Sequence, residues 1–186
     1  YLLQHFKAAG VPVLGIEPTA NTAQAAIDKG VPTEVMFFHG ETGQALAARG
    51  IKADLMAANN VLAHVPDIGG FVAGFREVLK PQGVLTFEFP HFLNMLEMVQ
   101  FDTIYHEHFS YLSLTAVAAV FEDAGLLIVD VEQLETHGGS LRVHARRADA
   151  GRRTPAGAVT DLLGLELAAG VASRAFYEGF QEAAQR

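Results

Sequence analysis

From residue 11 to about residue 147, short apolar runs alternate with stretches whose apolar residues recur every third or fourth position. Strand side chains alternate between two faces and a helix repeats after about 3.6 residues, so this rhythm predicts strands interleaved with amphipathic helices. Residues 12–16 form the first predicted strand, ending at Glu17; Thr19 or Asn21 can cap the next helix, which runs to about Lys29 and stops at Gly30. Residues 34–38 are the second strand, and a helix near 43–49 closes at Gly50. The third strand, 54–58, runs out into Asn59-Asn60. Asp67 stands at the N-cap of the clearest helix, where Ile68, Phe71, Val72, Phe75, Val78 and Leu79 share one face before Pro81 and Gly83 end it.

Residues 84–89 read as a buried strand from which Pro90 forces an exit. The stretch 91–111 is rich in aromatics and has no clean period, and 113–124 is helical again with Val117, Val120, Phe121 and Ala124 inward. Residues 126–134 and 141–147 are the last strands; the five residues joining them are too few for a crossover, so this pair should be antiparallel. Residues 150–155 resemble a linker, and the remainder is Ala- and Leu-rich helix. The expected architecture is α/β, with a mainly parallel sheet ending in an antiparallel pair. Residues 1–148 form the main domain, and 149–186 the linker and start of a helical C-terminal domain.

Composition narrows the partners. Half of the 186 residues are hydrophobic, enough for a sizeable core. A net charge of −8 disfavours nucleic acid and anionic membrane surfaces. No apolar run reaches the roughly 18–20 residues of a membrane span. The chain has no cysteine, so it holds neither a disulfide nor a thiolate metal site, and a reducing cytoplasm fits. Tyr1 opens directly into the helical pattern of Leu2, Leu3 and Phe6, and the chain stops in mid-pattern after Phe180, which suggests a piece of a longer protein.

Ligands of open parallel sheets bind beyond the carboxyl ends of the strands. Glu17 lies at such an end, where a carboxylate can accept two hydrogen bonds from ribose hydroxyls; an exposed helix charge or an NAD site would use it equally well. Asn59 and Asn60 end the third strand, as ligand groups or as a polar turn; His64 reads as an ordinary loop histidine. Phe38 can stack on adenine or pack the core.

The stretch 59–67, Asn-Asn-Val-Leu-Ala-His-Val-Pro-Asp, followed by Leu79-Lys80-Pro81-Gln82-Gly83 before the next strand, resembles class I S-adenosylmethionine-dependent methyltransferases. Within them, Tyr105-His106-Glu107-His108 and the later His137-Gly138-Gly139-Ser140-Leu141-Arg142 resemble deoxysugar C-methyltransferases, which act on dTDP-linked 4-keto sugars. The resemblance implies a Rossmann-like sheet, S-adenosylmethionine as cofactor at Glu17, Phe38, Asn59 and Asn60, and His108, Glu107 and Tyr105 as catalytic residues with His108 the base. His137 and Arg142 become candidates for the sugar nucleotide, although the glycines suit a tight turn and Arg142 can simply face solvent. The chemistry agrees, since a proton on the carbon beside a ketone must leave before a methyl group joins that carbon, and histidine titrates near neutrality. His106 and His108 would share a face of an extended segment, but nothing nearby completes a metal site, and none is expected.

The sequence departs from that family. Its glycine-rich loop and first central strand, which lies between the strands at 13–17 and 54–59, are absent, as are its cysteine-rich zinc-binding region and most of its C-terminal domain. Zinc would therefore belong only to the absent N-terminal region. Other readings stay open: a class I methyltransferase acting on a small-molecule oxygen or nitrogen, an NAD-dependent oxidoreductase resting on Glu17 and the alternating pattern, and a non-catalytic degenerate domain.

Overall fold

The helix with the strongest apolar face forms where its face predicts. In the computed structural model, which describes residues 2–151 and 154–186, the side chain of Asp67 accepts a hydrogen bond from the Gly70 amide at 2.9 Å and caps it. The chain runs α1 (Leu3–Ala8), β1 (Gly15–Ile16), α2 (Ala20–Asp28), β2 (Thr33–Glu34), α3 (Gly40–Ala48), β3 (Ala53–Asn59) and α4 (Ile68–Val78). It continues through β4 (Leu79–Pro90), α5 (Phe92–Glu97), α6 (Leu114–Asp123), β5 (Leu126–Leu134), β6 (Ser140–Arg147), α7 (Gly157–Ala169) and α8 (Phe180–Ala184). Tyr1, Arg152 and Arg153 lie outside the described residues, so the linker expected at 150–155 is seen only in part.

β3 and β4 pair in parallel, and the last two strands are antiparallel as their short connection requires. β6, however, lies between β4 and β5, antiparallel to both, giving the order β3-β4-β6-β5. β1 and β2 make a separate parallel pair. Among the described residues no ladder joins β1 to β3, and this break falls where the resembled family has the central strand that this sequence lacks. β3 accordingly behaves as an edge, with Asp54, Leu55, Ala57 and Asn59 exposed.

Element boundaries differ from the sequence reading, and the first strand, expected from residue 12, pairs only over Gly15–Ile16. The second strand stops at Glu34 because its partner stops: the Glu17 amide bonded to the Glu34 carbonyl is the last rung, and Phe38 turns into the core. The Leu79–Gly83 stretch is not a helix end. α4 finishes at Val78, and the chain is already extended at Leu79, opposite Ala53; the register then skips so that Leu55 faces Val84. Pro81 and Gly83 turn the chain inside that bulge, where a Cβ at Gly83 would sit 2.9 Å from the Ala53 carbonyl oxygen.

One face of the four-stranded sheet carries the core. Leu85, Phe87 and Phe89 of β4 and Leu141, Val143 and Ala145 of β6 pack against Phe71 and Phe75 of α4 and Val117 and Phe121 of α6. Val159 and Leu162 of α7 join the same cluster. Phe38, Phe75, Phe87 and Phe121 meet edge to face in sequence, at centroid distances of 4.5, 4.9 and 5.2 Å. The other face is polar: Arg142 of β6 pairs with the buried Glu88 of β4 at 2.9 Å and with Glu132 of β5 at 3.5 Å, and Glu132 also meets His144.

Candidate active site

Two loops leaving the carboxyl ends of β3 and β4 meet and build the site. Beyond β3, Asn60 adopts a left-handed backbone (φ 53°) while its amide reaches the Glu88 carbonyl at 2.7 Å. Asparagine tolerates that conformation. A 3-10 turn over Leu62–His64 follows, and the Ala63 carbonyl accepts from the Phe109 amide at 2.8 Å, drawing the histidine-rich segment onto the β3 loop.

That segment is a turn. The His108 amide bonds to the Tyr105 carbonyl at 3.1 Å, placing residues 105 and 108 side by side with His106 and Glu107 at the exposed tip. The extended form in which His106 and His108 would share a face is therefore not adopted, and no cluster of metal-ligating side chains occurs among the described residues. The His108 ring lies 4.2 Å from that of Tyr105, 4.8 Å from that of His64 and 5.9 Å from that of Tyr111. Ala63, Phe89, Phe92, Met95 and Tyr111 line a small, mainly apolar pocket with His108 in its wall.

The ring nitrogens are distinguishable by their partners. His108 Nδ1 is 2.9 Å from the Thr103 carbonyl oxygen, and a carbonyl only accepts, so Nδ1 carries the hydrogen. In the neutral ring Nε2 is then the nitrogen with the lone pair. His64 follows the same logic, its Nδ1 donating to the Glu107 carbonyl at 3.0 Å. The backbone thus presets the tautomer of both imidazoles.

The structure brings Tyr105, His108 and His64 together but leaves the Glu107 side chain exposed, that residue contributing its carbonyl. Glu17 follows β1, and one of its carboxylate oxygens accepts from the Thr19 amide at 2.8 Å. Asn59 is exposed at the end of β3, and the side-chain oxygen of Asn60 is buried without a hydrogen-bond partner. Phe38 sits against Phe71 and Phe75 in the core, and its neighbour Phe37 is 74% exposed. His137 is exposed, with a left-handed backbone (φ 54°), and Arg142 is neutralised by Glu88 and Glu132.

Sequence reasoning passed over His64, although the strand-end rule that singled out Asn59 applies equally five residues later. It also missed a buried pair formed across 75 positions: His91 Nε2 donates to a carboxylate oxygen of Glu166 at 2.8 Å. Burial pushes the Glu166 carboxyl up. The hydrogen bonds from His91, from the Thr115 hydroxyl and amide and from the Leu114 amide together outweigh that and hold it below the usual carboxylate range.

Residues 1–131 match a methyltransferase domain family and residues 135–186 a C-methyltransferase C-terminal domain. The C-methyltransferase NovU of Streptomyces niveus is 38% identical over 184 residues, which is 99% of this chain and 44% of NovU, so the chain spans less than half of that relative. Two solved structures share the fold. The magnesium protoporphyrin IX methyltransferase of Synechocystis PCC 6803 with bound SAH has a TM-score of 0.56 at 16% identity, covering 75% of this chain and 66% of that one. The putative methyltransferase in complex with the Trm112 activator of Haloferax volcanii reaches 0.60 at 13% identity, covering 79% and 77%.

Proposed function

Since this chain belongs to the methyltransferase family and carries in addition that family's C-methyltransferase C-terminal domain, we propose that it forms the catalytic part of an S-adenosylmethionine-dependent C-methyltransferase acting beside the ketone of a nucleotide-linked 4-keto deoxysugar. The observation that carries this reading is His108, which lines the pocket while its Nδ1 is held by the Thr103 carbonyl, leaving Nε2 as the nitrogen that can take a proton. Such a nitrogen suits removal of a carbon-bound proton, a step that transfer to a hydroxyl or amine does not require. The Tyr105 ring against His108 restricts its rotation and brings a phenol near the place where an enolate oxygen would form. The apolar walls keep water from that reactive carbon.

Bound S-adenosylmethionine would supply an electrophilic methyl group. The residues present suit it: the second carboxylate oxygen of Glu17 can accept from a ribose hydroxyl, and the unpartnered buried oxygen of Asn60 suits an ammonium donor. Phe37 offers a face for a planar base. In this reading His137 and Arg142 contact the sugar nucleotide, for which Arg142 leaves Glu88 and Glu132.

Solvent deuterium exchange tests the proposal. The full-length protein should wash deuterium into the carbon beside the ketone of a dTDP-4-keto sugar. The His108→Ala variant should lower that rate by roughly 10²–10⁴ while S-adenosylhomocysteine binds as before. Methyl transfer to oxygen or nitrogen without exchange would overturn it.

A further inference from the structure

The Glu166 carboxylate is fully buried in α7, far along the chain from the candidate pocket, yet its hydrogen bonds reach residues close in sequence to those that line it on two segments. One oxygen accepts from His91 Nε2 at 2.8 Å and from the Leu114 amide at 2.7 Å; the other accepts from the amide and hydroxyl of Thr115. His91 stands between Pro90 and Phe92, which line one wall. Leu114 and Thr115 open α6 directly after Ser113, and Tyr111 and Leu112 line the facing wall. The walls also touch each other, since His91 and Leu112 form an isolated bridge and the Phe92 amide bonds to the Leu112 carbonyl at 3.0 Å. The His91 amide bonds to the Gly139 carbonyl at 2.9 Å, tying in the turn between β5 and β6. The Nδ1 of His91 is buried with no hydrogen-bond partner among the described residues, so Glu166 is the acceptor that orients the ring.

We infer that Glu166 and His91 are positioning residues, through which the docking of α7 sets the spacing of the two walls around His108. The pair touches none of the groups assigned to proton removal or to cofactor. Its effect passes through Pro90 and Phe92 on one side and Tyr111 and Leu112 on the other. α7 falls in the portion matched by the C-terminal domain, whereas His91, Leu114 and Thr115 fall in the methyltransferase portion, so the carboxylate joins the two. The inference rests on the proposed reaction only for its kinetic readout.

The test uses the full-length protein with His91→Leu, which removes the donor, and His91→Gln, which keeps an N–H within reach of Glu166. Histidine-ring NMR reports the His108 tautomer without substrate. His91→Leu should shift the His108 signals away from the Nδ1–H pattern and leave those of His144 in place. The KM for the 4-keto sugar nucleotide should rise about 10–100-fold, as small misplacements in a site do, while the affinity for S-adenosylhomocysteine stays within about twofold. His91→Gln should restore both readouts to within about threefold. Should His91→Leu fail to fold, Thr115→Val, which deletes a single hydroxyl donor, carries the same measurements. A variant that lowers only the melting temperature, with the His108 signals and KM unchanged, overturns the inference and leaves the pair a packing contact. If the wild-type protein acts on no keto sugar while the His108 signals still respond to His91→Leu, the proposed reaction fails and the positioning role stands.

Discussion

Four donors converge on the Glu166 carboxylate, and their sum decides how this residue answers to pH. Its folded-state pKa lies below the ordinary value, so the ionised form is the one that the fold stabilises. That stability is fully present above the unfolded carboxylate value of about 4.3 and is lost as pH falls through the folded one. Glu166→Gln, which sets an amide among donors, should cost about 1–3 kcal/mol at pH 7. Urea melts of variant and wild type should converge as the pH is taken below about 4. A constant difference down to pH 3 would show that the charge is not what the four donors serve. The residue scale is also where the sequence says least. His108 and Tyr105 stood out because two histidines, a glutamate and two tyrosines crowd into seven positions. That the segment is a turn, leaving the Glu107 side chain outside, depends on the Ala63 carbonyl capturing the Phe109 amide, a contact across 46 positions that no local pattern encodes. Glu166 gave no signal, because a glutamate in an Ala- and Leu-rich helix reads as its solvent face.

At the scale of elements, α4 and α6 are legible because cap and apolar face agree: the side chain of Asp67 caps one, and that of Ser113 caps the other by accepting from the Ala116 amide at 3.1 Å. Strand lengths were not legible, since a strand ends where its partner ends, and the partner of β1 supplies only two paired positions. The close approach of α3 and α4 was equally hidden. A Cβ at Gly43 would stand 2.4 Å from the Gly74 carbonyl oxygen, and one at Gly74 would stand 2.6 Å from that of His39. These contacts are backbone on both sides, so no rotamer change relieves them. Gly43→Ala and Gly74→Ala should each destabilise by about 1–3 kcal/mol, and the double variant by less than their sum, because one displacement of α3 serves both. Thermal melts of the three variants check this; full additivity would mean that the helices do not move as one contact.

For the whole molecule, the absent ladder between β1 and β3 leaves each strand with an unpaired edge among the described residues, and β3 shows Leu55 47% exposed there. Unpaired strand edges template association, and a net charge of −8 opposes it through repulsion that salt screens. The 186-residue polypeptide expressed by itself should therefore associate increasingly as salt rises, and should bind S-adenosylhomocysteine far more weakly than the full-length protein. Sedimentation and titration calorimetry test both; a monomer at high salt with micromolar affinity would mean that the edges are already protected. The α/β class and the antiparallel last pair could be read from the order of apolar runs, and the break from the resemblance to a family whose first central strand this sequence lacks. The strand order could not, because β6 takes an interior place that chain order does not announce. That place has a consequence in time. A ribosome releases β4 and β5 before β6, so β4 can pair only with β3, and β5 has no sheet neighbour, until residues 140–147 emerge. Synthesis therefore leaves one edge of the hydrophobic strand β4 open for some fifty residues, roughly 3–10 s at ordinary elongation speed, a window in which a chaperone has something to bind.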